Sequence, residues 1–368
     1  MRIALAHPYS WPEVRRGAER LLHDLAWSLS RQGQEVQIVT GTPGPSGDDT
    51  VEGVSVRRLH HRRGLDRRGL ARYQTFAAEV YPWLVRHRFD IVVAMAPTIA
   101  VASRLAGQRT VFAPMGFPTP ELWAAAPVEA STFRLAARMA HETTVLSSAV
   151  ADSVASLTGK RPFVLPGGIR LESFPLTAGA RTGPPVVLFA SWAEEKAKGL
   201  DVLVRSFARV VRDKPDARLW LAGGGSHGWA LDRLAPEERA AVEPAIDLVA
   251  DQRRPITPAI YGAAHVTVLP STMEAFGLVL VESLACGTPV VGSSSGGILD
   301  VTRGSPAARL VPYGEDRALA DALLQALELA RRPETAATAR QQAEMFDWDA
   351  VVGPRYLDCY LQIAHRRS

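Results

Sequence analysis

The sequence predicts an α/β protein in which parallel strands alternate with helices, and two observations support this fold class. Short β-branched runs recur along the chain, and each is followed by a loop and a segment with helical periodicity. The chain has 368 residues, of which 47% are hydrophobic. Because this length exceeds that of a typical single domain, we expect two domains, each with its own core.

The chain opens with a strand, a loop, a helix and a second strand. We predict the strands over residues 2–6 and 35–40 and the helix over residues 17–32. This order is typical of a Rossmann-like unit, but the loop lacks the G-x-G-x-x-G spacing of dinucleotide-binding proteins. A nicotinamide cofactor is therefore disfavoured.

The same alternation continues through the first half of the chain. Strands are predicted over residues 90–94, 109–113 and 144–146, and helices over residues 98–106 and 149–157. Ligands of such sheets bind beyond the carboxyl ends of the strands. The loops that follow these strands are therefore expected to face a substrate.

A second domain is predicted to follow a linker over residues 177–185, which are rich in Gly, Pro and Thr. Its first strand spans residues 186–190, its first helix residues 200–212, and its second strand residues 218–222, which end in Gly223-Gly-Gly225. A hinge at the linker would let the two domains close and exclude water.

Residues 265–291 are predicted as strand, turn, helix and strand, with Ser271 and Thr272 offering hydroxyl caps for the helix. Two carboxylates, Glu274 and Glu282, lie within this stretch. At about 100° per residue they would lie roughly 80° apart on one continuous helix, so they would not share a face. We therefore expect Glu274 in the turn and Glu282 on the helix.

This arrangement suits a bound nucleotide sugar. A helix N-terminus offers free N–H groups and a partial positive charge, which favour a diphosphate. Because a carboxylate accepts two hydrogen bonds, Glu282 could bind paired ribose hydroxyls and Glu274 the hydroxyls of a donor sugar. Two surface acids on a helix would show the same spacing, so this alternative stays open.

The segment resembles the E-x7-E signature of the retaining glycosyltransferases of family 4. Glu274-Ala-Phe-Gly-Leu278 and Glu282 carry the signature, and Pro270-Ser271 and residues 285–291 match on its flanks. The resemblance covers nearly the whole chain. It implies the GT-B fold, an α/β fold with two facing Rossmann-like domains and a C-terminal helix that returns to the N-terminal domain.

The resemblance also implies domain boundaries and a division of labour. Residues 1–175, together with the C-terminal helix 347–368, would form the N-terminal acceptor-binding domain. Residues 176–346 would form the C-terminal domain that binds the nucleotide sugar.

Individual residues receive roles from the same resemblance. Glu274 and Lys198 are the expected catalytic residues, with Glu274 orienting the donor rather than acting as a nucleophile. The expected donor-binding residues are Gly17, Ser191, Lys196, Phe276, Gly277, Leu278, Glu282 and Gly297. Plainer alternatives exist: Gly17 as a helix-entry glycine and Lys198 as a solvated loop residue.

The chain departs from the family pattern in the loop before the helix at residues 200–212. Ser191-Trp192 stand where relatives usually carry Gly-Arg, so half of the cationic clamp on the diphosphate is missing. Lys196 is a substitute within the same loop, and Arg15 and Arg16, near Gly17, are other candidates.

A second departure concerns the acceptor side. Val93, Met95 and Met115 stand where many relatives carry histidines. The remaining acceptor-side candidates are His7, Arg16 and Met115. A loop histidine such as His7 is also compatible with a plain polar role.

The charge and composition of the chain limit the classes of partner that it is expected to bind. The formal net charge is +4, and arginines cluster from Arg57 to Arg72. This basic patch suits a phosphorylated acceptor or an anionic membrane surface, and a solvated loop is the alternative. Nucleic acid is not expected, because no aromatic-interleaved motif accompanies the arginines.

The sequence also indicates which cofactors to expect and where in the cell the protein is expected. The two cysteines fit a reduced compartment and provide no metal framework, and no Asp-x-Asp stands at a strand end, so we expect no metal and no cofactor. No run approaches the roughly twenty apolar residues of a membrane span. The expected location is the cytoplasm, with a peripheral position at the membrane as an alternative.

The expected function is a metal-independent, retaining transfer of a sugar from a nucleoside diphosphate sugar to a hydroxyl acceptor by same-face attack. Two other classes stay open. A nucleotide-sugar 2-epimerase would act on the donor alone, and a catalytically silent GT-B protein would serve as a binding partner.

Overall fold

The computed structural model describes residues 1–61, 72–251 and 256–365. The chain divides into two compact units, Met1–Gly168 with Trp348–Ser368, and Ile169–Asp347. Each described unit is an α/β structure built on a largely or wholly parallel sheet. The C-terminal segment belongs to the first unit, as expected.

The first unit contains an eight-stranded sheet in the order β3-β4-β2-β1-β5-β6-β7-β8. Neighbouring strands are parallel except for β3 and β4, which are antiparallel. The strands are β1 (Arg2–Ala6), β2 (Glu35–Thr42), β3 (Gly47–Val51), β4 (Val54–His60), β5 (Ile91–Ala94), β6 (Thr110–Phe112), β7 (Glu142–Val145) and β8 (Phe163–Val164).

The helices of this unit cover the sheet with apolar faces. They are α1 (Gly17–Arg31), α2 (Arg72–Thr75), α3 (Ala77–Arg86), α4 (Pro97–Leu105), α5 (Pro120–Ala125), α6 (Pro127–Met139), α7 (Ser148–Thr158) and the C-terminal helix Gly353–His365. In α1 the buried leucines Leu21, Leu22, Leu25 and Leu29 recur at helical spacing. The central strand β5 is buried along its whole length, which explains its continuous apolar run.

The C-terminal helix packs closely on α1. The Ser28 Oγ donates a hydrogen bond to the Trp348 carbonyl oxygen over 2.9 Å. A Cβ at Gly353 would lie 2.1 Å from the Ser28 Oγ, so only glycine fits there. The Tyr356 hydroxyl donates to the Leu165 carbonyl oxygen over 2.9 Å. The aromatic stripe of this helix therefore serves packing.

The second unit contains a six-stranded parallel sheet in the order β11-β10-β9-β12-β13-β14. Its strands are β9 (Val186–Phe189), β10 (Arg218–Ala222), β11 (Ile246–Ala250), β12 (Val266–Leu269), β13 (Val290–Ser293) and β14 (Ala308–Val311). Its helices are α8 (Leu200–Asp213), α9 (Gly228–Leu231), α10 (Pro236–Val242), α11 (Pro258–Ala263), α12 (Leu278–Ala285), α13 (Ile298–Thr302), α14 (Asp316–Ala330) and α15 (Pro333–Glu344).

The strand order identifies a topological switch point in the second sheet. The chain builds outward from β9 through β10 to β11 and then returns to the other side of β9 with β12. In open α/β sheets, ligands bind at the carboxyl ends of the two strands where this reversal occurs. The loops after β9 and β12 are therefore the place to look for a site.

The predicted hinge at residues 177–185 is wrong. This segment lies within the second unit, because the division falls between Gly168 and Ile169. Arg181 is buried there, and its guanidinium donates to the Thr177 and Ala264 carbonyl oxygens over 2.9 and 3.2 Å. Composition suggested a flexible linker, but these buried hydrogen bonds fix the segment to its own unit.

Within the described residues, no helix is both long and apolar enough to cross a membrane.

Candidate active site

The loops after β9 and β12 are tied to each other at the switch point. The Thr272 N–H and the Ser271 Oγ donate to the Ala197 carbonyl oxygen over 2.9 and 3.0 Å. Gly199, with a φ of 75°, ends the loop, and a Cβ there would lie 2.1 Å from the Pro270 carbonyl oxygen. The two loops thus approach at backbone distance, which Gly199 permits.

These contacts correct the predicted hydroxyl caps. Ser271 and Thr272 bind the neighbouring loop, and α12 begins after Gly277, whose φ of 100° suits glycine. The hydroxyls were expected to cap the helix because they precede it in sequence. The turn between these two residues and the helix is long enough for their hydroxyls to bind the neighbouring loop instead of the helix start.

Glu274 lies in that turn, and its carboxylate binds two backbone N–H groups just before the helix. Its Oε1 accepts hydrogen bonds from the N–H groups of Gly277 and Phe276 over 3.1 and 3.4 Å. Both N–H groups precede α12, which begins at Leu278. The expectation that the helix start binds a diphosphate therefore stays a prediction.

The other oxygen of Glu274 pairs with Lys198. The Lys198 Nζ donates to Oε2 over 2.9 Å, and the side chains are 19% and 14% exposed. Burial lowers the pKa of Lys198, but the charges and hydrogen bonds of Glu274 and Glu195 outweigh it and raise this pKa. Lys198 is therefore a partly buried cation, and the alternative of a solvated loop residue is disfavoured.

Gly296 and Gly297 support the same turn from the loop after β13. The Gly297 N–H donates to the Glu274 carbonyl oxygen over 2.7 Å. A Cβ on Gly297 would lie 2.5 Å from the Ala275 carbonyl oxygen and from the Phe276 Cα. A larger residue here would push the turn that carries Glu274.

Glu282 lies half-buried on α12, and its carboxylate has a partner that sequence reasoning missed. The Tyr261 hydroxyl, on the short helix α11, donates to the Glu282 Oε2 over 2.5 Å. Tyr261 is 1% exposed. No periodicity points to this contact, because it joins two elements 21 residues apart in the chain.

Three further predicted donor residues lie around this turn. The Phe276 side chain is buried against Phe346 with ring centroids 5.6 Å apart, so only its backbone is available to a ligand. Leu278 is the first residue of α12 and is half-buried. Gly277 contributes the N–H group that binds Glu274.

Ser191-Trp192, which replace the expected Gly-Arg, pack against the three glycines after β10. All three glycines, Gly223 to Gly225, have left-handed φ values. A Cβ on Gly223 would lie 2.6 Å from the Ser191 carbonyl oxygen, and one on Gly225 would lie 3.2 Å from the Trp192 ring. The Trp192 side chain stays 36% exposed at this edge.

Lys196, the predicted substitute for the missing arginine, is exposed. Its Nζ lies 5.9 Å from the centre of the Trp229 ring, whose Nε1 donates to the Ala193 carbonyl oxygen over 3.0 Å. The structure thus places Lys196 and Lys198 in different surroundings. Only Lys198 is paired with the E-x7-E turn.

In the first unit, His7 follows β1 and is buried. Its Nδ1 lies 2.7 Å from the Tyr9 carbonyl oxygen, and its ring contacts Tyr73 at 5.4 Å between centroids. Burial, with Arg16 nearby, lowers the pKa of His7 to about 4, although the bond to Tyr9 opposes this shift. His7 is therefore neutral at physiological pH.

The other predicted residues of the first unit are more open. Arg16 and Gly17 are exposed at the start of α1, and a Cβ on Gly17 would meet no atom within 4 Å. Met115, after β6, is half-buried beside Met95 and Tyr360 around a small internal cavity.

Glu19, in the first turn of α1, is a second residue that the sequence did not reveal. It is fully buried, and no other described residue donates a hydrogen bond to either carboxylate oxygen. Burial raises its pKa, while Arg16 opposes the shift. A buried acid at a helix start looks the same in sequence as an exposed one.

Most of the predicted basic patch, residues 62–71, lies outside the described residues. Its first two arginines are on β4 and are paired with acids. Arg57 donates to Asp48 over 2.8 Å and Arg58 to Asp49 over 3.2 Å. These two pairs offset the positive charge at the start of the patch.

Among residues 1–61, 72–251 and 256–365, no three His, Cys, Asp or Glu side chains are placed to hold one metal ion.

Two family models match consecutive parts of the chain. The model for "Glycosyltransferase Family 4" matches residues 15–173, and that for "Glycosyl transferases group 1" matches residues 184–329. Together the two models match most of the chain and support a glycosyltransferase of family 4. The predicted enzyme class is thereby confirmed.

Curated relatives of this glycosyltransferase extend over nearly its whole length. A phosphatidyl-myo-inositol mannosyltransferase of Propionibacterium freudenreichii is 28% identical over 98% of this chain and 94% of its own. A D-inositol 3-phosphate glycosyltransferase of Xylanimonas cellulosilytica is 29% identical over 94% of this chain and 91% of its own.

Solved structures support the fold of this glycosyltransferase. The sucrose-phosphate synthase of Thermosynechococcus elongatus superimposes with a TM-score of 0.79 at 19% identity, and the match covers 98% of each chain. The predicted GT-B fold is confirmed.

Proposed function

We propose that this glycosyltransferase moves a sugar from a nucleoside diphosphate sugar to an acceptor hydroxyl with retention of configuration and without a metal ion. The observation that carries the proposal is the Lys198–Glu274 pair at the switch point of the second sheet. A partly buried cation beside a carboxylate that is fixed in the turn before a helix supplies both groups that donor activation needs.

Lys198 stabilises the leaving group in this proposal. As the bond between the sugar C1 and the diphosphate oxygen breaks, negative charge grows on the diphosphate. A partly buried cation stabilises that charge more strongly than an exposed one, because water screens it less. The raised pKa of Lys198 keeps it protonated at physiological pH.

Glu274 and Glu282 hold the donor. Glu274 accepts hydrogen bonds from hydroxyls of the sugar and orients C1, and Glu282 accepts hydrogen bonds from the paired ribose hydroxyls. The acceptor oxygen bonds to C1 on the face that the diphosphate leaves, and the acceptor proton passes to the departing phosphate oxygen. No protein nucleophile takes part.

The names of the two curated relatives suggest which acceptor to test first. One acts on phosphatidyl-myo-inositol and the other is named for D-inositol 3-phosphate. Both contain a phosphorylated inositol ring, whose hydroxyls are suitable acceptors. We therefore assign phosphorylated inositols as the first acceptor class.

The proposal is tested by product analysis with UDP-, GDP-, dTDP- and ADP-sugars and phosphorylated inositols, with and without EDTA. An acceptor-dependent product whose anomeric configuration matches the donor, unchanged by EDTA, is expected. An inverted product would contradict retention of configuration, and loss of activity with EDTA would contradict metal independence. Conversion of the donor without acceptor would contradict transfer to an acceptor.

Variants of the two glutamates test their separate roles. Glu274→Ala should chiefly lower kcat, since it removes groups that orient the reacting sugar, and Glu282→Ala should chiefly raise the donor KM. Glu328→Ala is the control, because Glu328 forms a 2.9 Å pair with Lys214 on the exposed side of the same unit. Normal donor kinetics in both site variants would refute the assignments.

A further inference from the structure

The contact between Tyr261 and Glu282 joins a fully buried hydroxyl to a half-buried carboxylate. The hydroxyl donates to the Glu282 Oε2 over 2.5 Å, and the tyrosine ring is 1% exposed. Burial and the neighbouring Glu282 raise the pKa of Tyr261 well above its ordinary value, so the hydroxyl keeps its proton. It therefore acts as a hydrogen-bond donor at every physiological pH.

The backbone of Tyr261 is fixed as firmly as its hydroxyl. The Thr288 Oγ1, in the turn after α12, donates to the Tyr261 carbonyl oxygen over 2.7 Å. Arg181 in turn donates to the Thr288 Oγ1 over 3.0 Å. This series of buried hydrogen bonds holds α11 against the end of α12.

A further contact locks the two helices together one turn beyond Glu282. The Cys286 Sγ lies 3.4 Å from the Pro258 carbonyl oxygen at the start of α11. The Tyr261 carbonyl oxygen is therefore held by Thr288, and the helix that carries Tyr261 is held at Pro258, while the Tyr261 hydroxyl reaches Glu282. Such a rigid donor restricts the rotamers open to a glutamate, which is otherwise among the most flexible side chains.

We propose that Tyr261 is a positioning residue for donor binding: its buried hydroxyl holds the Glu282 carboxylate in the orientation that receives the ribose hydroxyls. The inference rests on the proposed role of Glu282 in binding the donor. It adds that the affinity of Glu282 for the ribose depends on a side chain that does not touch the donor.

A purely structural role for Tyr261 makes a different prediction. If Tyr261 only packs α11 against α12, its hydroxyl affects folding and leaves donor affinity alone. If it positions Glu282, its hydroxyl affects donor affinity only while Glu282 is present. A double-mutant cycle on the nucleoside diphosphate affinity separates the two roles.

The cycle compares the wild type, Tyr261→Phe, Glu282→Ala and the double variant, with calorimetric binding of UDP, GDP, dTDP and ADP as the readout. Tyr261→Phe should weaken binding of the preferred nucleotide by about three- to tenfold, the range expected for one buried hydrogen bond. In the Glu282→Ala background the same substitution should have almost no effect. Tyr261→Phe should also raise the donor KM more than it lowers kcat.

Tyr360→Phe is the matched control, because Tyr360 is a fully buried tyrosine of the first unit whose hydroxyl has no hydrogen-bond partner among the described residues. It should leave nucleotide binding unchanged. Should Tyr261→Phe fold poorly, Glu282→Asp replaces it: the shorter acid cannot reach both the Tyr261 hydroxyl and the ribose, so it should weaken nucleotide binding nearly as much as Glu282→Ala does. Wild-type affinity in Glu282→Asp would overturn the inference.

The outcomes separate failure of the inference from failure of the proposed function. If Glu282→Ala leaves nucleotide affinity unchanged, the proposed role of Glu282 fails, and the inference fails with it. If Glu282→Ala weakens binding but Tyr261→Phe does not, the inference alone is overturned. An equal effect of Tyr261→Phe in both backgrounds also overturns it, because Tyr261 would then act independently of Glu282.

Discussion

The loops after β1 and β9 hold the same topological position in their two sheets, but their chemistry is opposite. Each follows the first strand of its sheet and leads into a helix, α1 or α8. After β9 the loop carries Lys198, a cation paired with a carboxylate. After β1 the loop carries His7, a neutral imidazole among tyrosine rings.

The difference shows that topology fixes where a ligand can bind, whereas the loop residues fix which ligand. A diphosphate needs a cation and oriented amides, and these occur after β9 and β12. The aromatic loop of the first unit suits the hydroxyl-bearing ring of an acceptor better than a diphosphate. The exposed Arg16 at the start of α1 is the nearby positive charge.

The largest effect on activity is expected from removal of the Lys198 side-chain cation. Lys198→Ala should lower kcat/KM by about 100- to 1,000-fold, since it removes one electrostatic stabiliser of the leaving diphosphate. Steady-state kinetics with the preferred donor measure this effect. Thermal unfolding of the variant must be followed in parallel, because Glu274 loses its partner.

Lys214→Ala provides the control for this comparison. Lys214 forms a glutamate pair of the same 2.9 Å length with Glu328, but that pair is more exposed. Such pairs contribute little to stability, and Lys214 follows the end of the 14-residue helix α8, whereas Lys198 precedes its start. If Lys214→Ala lost as much activity as Lys198→Ala, the loss of activity would not be specific to the Lys198 pair, and the proposed role of Lys198 would be contradicted.

The neutral histidine predicts a pH dependence of stability. The pKa of His7 is lowered from 6.5 to about 4 in the folded protein. Between these values the unfolded chain binds the proton and the folded chain does not, so stability falls as the pH drops from 6.5 to 4. The loss approaches roughly 3 kcal/mol, as an order of magnitude.

Urea unfolding of the wild type and of His7→Asn at several pH values checks this expectation. Asn can keep a polar contact to Tyr9 but does not titrate, so its stability should depend less steeply on pH below 6.5. Parallel curves for the two proteins would contradict the lowered pKa. A histidine titration by NMR in which the His7 signal shifts only below about pH 5 would support it directly.

Sequence reasoning succeeded where structure follows local pattern. The strands β1 and β10 lie at the predicted residues, because each apolar run follows an arginine and is ended by residues that suit a loop, His7-Pro8 after β1 and Gly223 after β10. The helical period alone predicts Glu274 in the turn and Glu282 on the helix, and the structure has them there.

The failures have a common physical cause. The burial of Glu19, the contact of Tyr261 with Glu282 and the anchoring of Arg181 all depend on elements distant in the chain. A local pattern reports which residues face a core, but it does not report which polar groups meet inside it. The predicted hinge failed for this reason, since composition cannot reveal the carbonyl groups that bind Arg181.

The smallest effect is expected from Gly17→Ala, a variant that distinguishes two possible roles of this glycine. A Cβ there would meet no atom within 4 Å, and Gly17 is the first residue of α1. Gly17→Ala should therefore leave stability unchanged or raise it by about 0.5 kcal/mol, because alanine restricts the unfolded chain. If the Gly17 backbone approaches the donor phosphates, as the family resemblance implies, the donor KM should rise although the fold is intact.

Gly228→Ala is the matched control, since Gly228 also begins a helix, α9, and a Cβ there also meets no atom within 4 Å. It should leave stability unchanged or raise it by the same small amount as Gly17→Ala, and it should leave the donor KM unchanged. An unchanged KM in Gly17→Ala would make Gly17 a helix-entry glycine only. If the donor KM rises in Gly17→Ala but not in Gly228→Ala, the loop after β1 contacts the donor through its backbone. It would then differ from the loop after β9, which contributes the charge of Lys198.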